Sequence, residues 1–229
     1  MSMLHPLVHS DPASPRLTVY DEATGARQEF SGVTLDNWAN KIANMLVDEF
    51  DATADTTIII DMPVSWQAAV IGIGTFAAAL TPLFTGHSGT LNDDAPAAEL
   101  VFTTVDGFER WPDADDVVVV SNDPFGRGVE ESGGQLPFGT VDFGPTVRFY
   151  GDHYFGESCD LSEFAEDSED SVGPERWLVT NWSSTSDFRT KVLAPLAAGG
   201  SVVIVAGIAS ADRLDAIAET EKVTARKFS

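Results

Sequence analysis

Apolar residues along this chain follow two rhythms, and they alternate. Leu35, Trp38, Ile42, Met45, Leu46 and Phe50 recur at intervals of three and four, the stripe of an amphipathic helix. Thr34 stands where an N-cap is expected, with Asp36 in the first turn, where a carboxylate suits the helix dipole. Thr57-Ile58-Ile59-Ile60 is a β-branched run, too short for a helix and without polar alternation, as in a strand covered on both faces. Trp66 to Leu80 is apolar nearly all round and predicts a buried helix opened by Pro63 and Ser65. Gly72 and Gly74 weaken that helix and imply close approach of a neighbour. Thr81 to Phe84 then reads as extended.

The same alternation continues on both sides. Leu17 to Tyr20 and Arg27 to Phe30 predict a hairpin around the turn residues Asp21 to Gly25. Glu99 to Thr103 and Val117 to Ser121 read as further buried strands. Residues 121–145 carry many Gly, Pro and Asp and few periodic apolar positions, and residues 157–175 form an acid-rich linker or insertion. Trp177 to Thr180 predicts a strand, Ser186 or Asp187 a helix cap, Gly199-Gly200 the helix stop, and Ser201 to Val205 another buried strand. Ser210 caps a last helix with Leu214, Ile217 and Ala218 inward, and Val223-Thr224 opens a final strand. Strands alternating with helices predict an α/β fold: three layers, a mostly parallel sheet with helices on both faces, the early hairpin at an edge or as a flap. Residues 1–229 are expected to form a single domain.

Charge is the main departure from ordinary composition. The chain carries 36 acidic and 13 basic residues, a formal net charge of −23. Such a surface repels phosphate backbones and anionic lipid, so no nucleic acid and no membrane are expected as partners. Cys159 is the single cysteine, the opening residues lack a signal-peptide pattern, and a cytoplasmic location is expected.

Two stretches carry a resemblance. One runs from Leu17 to Phe84 and includes Thr34-Leu35-Asp36-Asn37-Trp38-Ala39 and Ile58-Ile59-Ile60-Asp61-Met62-Pro63-Val64-Ser65. The other runs from Leu193-Ala194-Pro195-Leu196 through Gly199-Gly200-Ser201-Val202-Val203-Ile204, with Val223-Thr224 after the next helix. In order and spacing they resemble the N-terminal domain of adenylate-forming (AMP-binding, acyl-CoA synthetase-like) enzymes. The resemblance implies that family's α/β fold, in truncated form. The family's phosphate loop is rich in Ser, Thr and Gly and ends near Pro-Lys-Gly. Here Thr180-Asn181-Trp182-Ser183-Ser184-Thr185-Ser186-Asp187 stands in its place, without glycine, and Lys191 is the only lysine nearby.

The expectation is therefore a relative without adenylating activity and without a cofactor, acting as a module that binds a small molecule or a protein partner. Thr180, Asn181, Trp182, Ser183 and Ser184, between a strand end and a helix start, are its candidate ligand-binding residues. The alternative implied by the resemblance is an enzyme that binds ATP, AMP or CoA and needs a partner domain. A scaffold docking a basic protein through its acidic surface is a third possibility. His153, Glu157, Cys159 and Asp160 match no zinc spacing. His87, Ser88, Asp93 and Asp94 contain the residue types of a nucleophilic triad but no Gly-x-Ser-x-Gly elbow, and Gly126-Arg127-Gly128 lacks the third glycine of a dinucleotide loop. Trp38, Trp66 and Trp177 read as core anchors.

Overall fold

A computed structural model describes residues 1–87, 97–167 and 174–227. Helix α1 (His5–Ser10) leads into the hairpin β1 (Pro15–Asp21) and β2 (Ala26–Ser31), then α2 (Gly32–Phe50), β3 (Ile58–Asp61), α3 (Trp66–Ala77) and β4 (Leu83–Phe84). β5 (Leu100–Thr104), β6 (Asp116–Val120), β7 (Val141–Asp142) and α4 (Phe143–Phe149) follow. Then come β8 (Arg176–Val179), α5 (Thr185–Phe188), a π turn (Arg189–Leu193), α6 (Ala194–Ala197), β9 (Ser201–Ala206), α7 (Ala211–Thr220) and β10 (Ala225–Lys227). The acid-rich segment contains a 3-10 turn at Leu161–Asp167, and residues 168–173 of it lie outside the described residues.

The strands divide into two sheets, each mostly parallel. The first has the order β10-β8-β9-β1-β2 and the second β4-β3-β5-β6-β7. Every pairing is parallel except β1 with β2, so the hairpin ends the first sheet at its edge. The sequence predicts one sheet with helices on both faces; the structure has two sheets that share a helical layer. Leu17, Val19, Val202 and Ile204 of the first sheet join the same apolar core as Ile58, Ile60, Phe102 and Val118 of the second, with α2 and α3 between them. Alternate residues face outward: Leu178, Val203 and Val205 meet Ile217 and Ala218 of α7, while Ile59 and Val101 meet Trp111. This two-sided burial explains the unbroken apolar runs in β3 and β9.

Local chemistry accounts for the boundaries. Ser31, three residues before Thr34, caps α2: its side chain accepts the Thr34 N–H, and the Gly32 and Val33 N–H groups donate to Ser14 and Pro12 carbonyls. Ser65 caps α3 by accepting from the Ala68 N–H. The glycines of α3 do admit neighbours. A Cβ at Gly72 would lie 2.7 Å from the Phe188 ring, and one at Gly74 2.5 Å from Ile42. Among the described residues no helix is long and apolar enough to cross a membrane.

Candidate functional site

The carboxyl ends of β1, β3, β5, β6 and β9 converge, and in parallel α/β sheets ligands favour that end. Two cavities open there. One of about 240 Å³ is lined by Val19, Asp21 and Gln28 from the hairpin, Val64 and Trp66 from the β3–α3 junction, and Ala206 after β9. The second, about 160 Å³, is lined by His87, Thr104, Asp106 and Val120. Pro63 and Asn122 line both, so the cavities adjoin. Among the described residues no lysine or arginine lines either one. The indole nitrogen of Trp66 is buried without a hydrogen-bond partner among the described residues.

A buried carboxylate organises one end of this crevice. Asp61, the last residue of β3, is fully buried. Its Oδ2 accepts from Arg110 Nη2 at 2.7 Å, Arg110 Nε at 3.0 Å and Trp111 Nε1 at 2.9 Å, and its Oδ1 from Thr85 Oγ at 2.5 Å. His87 sits beside this cluster with φ at +64°, left-handed and uncommon for a side chain with a Cβ. Its Nδ1 lies 3.2 Å from the Asp61 carbonyl and 3.3 Å from Arg110 Nη2. A carbonyl needs a proton on Nδ1 and a guanidinium needs its lone pair, so one ring state satisfies only one of the two. Asp61 therefore fixes Arg110, and the ring that faces the smaller cavity bonds either the Asp61 carbonyl or Arg110 according to which nitrogen carries the proton.

The loop after β8 is built differently from a phosphate cradle. Trp182 is buried edge-on between Phe84 and Phe188, at centroid distances of 6.5 and 5.4 Å. Ser184, rather than Ser186 or Asp187, caps α5 by accepting the Asp187 N–H at 3.1 Å. Ser183 donates both its N–H and its Oγ–H to Asp187 Oδ2, at 3.1 and 3.0 Å. Asn181 accepts from Lys191 Nζ at 3.0 Å, and the same Nζ lies 3.7 Å from Asp187 Oδ1. Thr180 is half-buried at the strand end. The loop leans on the turn that carries His87: a Cβ at Gly86 would lie 3.2 Å from Ser183.

A search of protein-family models finds no match. A TIGR03089 family protein of Mycobacterium tuberculosis is 35% identical over 248 aligned residues, which take in 97% of this chain and 95% of that one. The chain belongs to the TIGR03089 family. Its fold is that of acyl-CoA synthetases. The whole chain superimposes on the Brucella canis acyl-CoA synthetase (TM-score 0.78, 13% identity) and on the Streptomyces lividans acetoacetyl-CoA synthetase (TM-score 0.74, 15% identity). It spans 47% and 42% of those chains, about half their length.

That fold raises the question of whether this TIGR03089 protein's residues suit a nucleotide triphosphate. In the loop after β8 the polar groups already have partners: the Ser183 donors are engaged by Asp187, Ser184 caps a helix, and Lys191 is held by Asn181 and Asp187. The other sequence candidates disperse. His153, Glu157, Cys159 and Asp160 do not converge: among the described residues no three His, Cys, Asp or Glu side chains are placed to hold a metal ion. Ser88, Asp93 and Asp94 lie outside the described residues. Arg127 of the Gly-Arg-Gly segment closes a local turn, pairing with Asp123 at 2.7 Å. Trp66 and Trp177 are buried anchors, and Trp38 is half-buried against Trp66 and Phe143. Sequence reading passed over Asp61, Arg110 and Asn122. Only Asp61 left a trace, as a charge ending a β-branched run.

Proposed function

We propose that this protein is a non-adenylating member of the acyl-CoA synthetase fold, a cytoplasmic module that binds an uncharged small molecule in the crevice joined at Pro63 and Asn122. One observation carries the reading: among the described residues, the adjoining cavities at the carboxyl edge have hydrogen-bonding and apolar walls but no lysine or arginine. A triphosphate or the phosphates of CoA need cations or free backbone donors. The crevice has Gln28, Asn122, Thr104 and His87 and the carboxylates of Asp21 and Asp106 beside Val19, Val64 and Trp66, which repels an anion and suits a neutral body with a few hydrogen-bond donors. Ser183 of the Thr180–Ser184 loop lies against Gly86, the residue before His87, so the loop is a neighbour of the crevice rather than part of its lining.

Two measurements test the proposal. ATP–pyrophosphate exchange with a panel of carboxylic acids is expected to stay at background, and calorimetric titration with ATP, AMP and CoA to show no heat of binding. Mass spectrometry of gently purified protein is expected to identify a co-purifying compound without phosphate. Robust exchange by the purified chain would falsify the reading. Binding of CoA or AMP without exchange would favour instead a nucleotide-binding enzyme that draws a further domain from a partner.

A further inference from the structure

Lysine is almost never fully buried unless paired, and Lys191 is 3% exposed. It sits in the π turn at Arg189–Leu193, a helical irregularity that recurs at functional positions. Its ammonium meets one neutral oxygen, Asn181 Oδ1 at 3.0 Å, and one carboxylate, Asp187 at 3.7 Å. Asp187 in turn receives the Ser183 N–H and Oγ–H, at 3.1 and 3.0 Å. A backbone amide, a hydroxyl and a buried cation thus converge on one acidic side chain. That side chain is 35% exposed, whereas the lysine side chain beneath it is 4% exposed.

We propose that Asp187 is an internal anion filling an oxyanion site made by the Ser183 N–H, the Ser183 hydroxyl and Lys191 Nζ. The carboxylate supplies the negative charge that the buried ammonium requires and closes the site to solvent anions. With that charge removed, Lys191 keeps, among the described residues, the Asn181 oxygen alone, and a buried cation without a counter-charge is strongly unfavourable. It then draws an anion of the phosphate class from solution into the vacated position. The inference rests on the non-adenylating reading in one respect, because it names the group that keeps phosphates out of this loop. The two fail separately: exchange activity of the wild-type chain strikes that reading, whereas the variants below strike only this one.

The test is pyrophosphate binding to D187A and D187N at matched ionic strength, by calorimetry and by the shift in melting temperature. Both variants are expected to bind pyrophosphate at least about tenfold more tightly than wild type, with a matching rise in melting temperature. Adding K191M is expected to abolish the gain. The proposal is overturned if a folded variant shows no gain, or if the gain survives K191M. Should neither variant fold in anion-poor buffer, recovery of the native spectrum on adding pyrophosphate supports it, and failure to recover overturns it.

Discussion

Glu221, just past α7, clasps the outer face of the first sheet, and glutamine at this position tests how much that clasp contributes. Its Oε1 accepts from Tyr20 Oη at 2.6 Å and Arg27 Nε at 2.9 Å, and its Oε2 from Arg176 Nη2 at 2.6 Å. Burial pushes the carboxyl pKa up, but hydrogen bonds from Arg27, Tyr20 and Arg176 outweigh it and hold the group at about 2. Measured from an ordinary 4.5, that drop bounds the stabilisation at roughly 3 kcal/mol, at about 1.4 kcal/mol per pH unit. The Arg27 side chain is 40% exposed, so solvent screens part of the attraction and about 2 kcal/mol is expected at pH 7. For a chain of this size E221Q should then melt about 4–8 °C lower. The sign follows from the direction of the shift. The folded value lies below the unfolded one, so the stabilisation is complete above about pH 4.5 and fades as pH falls towards 2. Urea unfolding of wild type and E221Q at pH 7, 5, 4 and 3 isolates this group from the other acids, because those titrate in both proteins. The gap between the two should narrow steadily below pH 5. A gap that stays constant down to pH 3 refutes the reasoning.

Other outcomes follow from the same kind of packing and pairing. D61A leaves the Arg110 guanidinium and the Trp111 N–H without their shared acceptor and should lose about 2–4 kcal/mol in urea unfolding at pH 7, with D61N losing less. G74A places a Cβ 2.5 Å from Ile42, and its gain in helix propensity should not offset the crowding; a net loss of about 1–2 kcal/mol is expected by thermal melting. S65A removes the α3 cap and should lower stability by about 1 kcal/mol, without altering the far-ultraviolet spectrum.

Most elements were legible because each is specified locally. The three- and four-residue recurrence from Leu35 to Phe50 is α2, the β-branched run before Asp61 is β3, and Ser65 and Ser210 cap the helices that follow them. α1 and α4 escaped notice because, at six and seven residues, they are too short to show a recurring apolar stripe. The division into two sheets was not legible, since periodicity specifies a strand without naming its partner. Val19 pairs with Ile204 across nearly the whole chain, and nothing local to either residue states this. The same distance effect hid the site. Arg110 and Trp111 reach Asp61 from another loop, and Asn122 reaches Pro63 only through the fold. In the loop after β8, sequence reading saw hydroxyls and no glycine. It could not see that those hydroxyls and Lys191 are gathered around Asp187.

The pairing of β1 with β9 also orders events on the ribosome. The second sheet is continuous in sequence, from β3 to β7, and can condense as soon as that stretch emerges. The first sheet joins strands far apart in sequence, so β1 waits with an unpaired edge until β9 has been synthesised. Premature termination before Ser201 would strand an adhesive hairpin on an otherwise settled body, and such fragments should clump rather than remain dispersed.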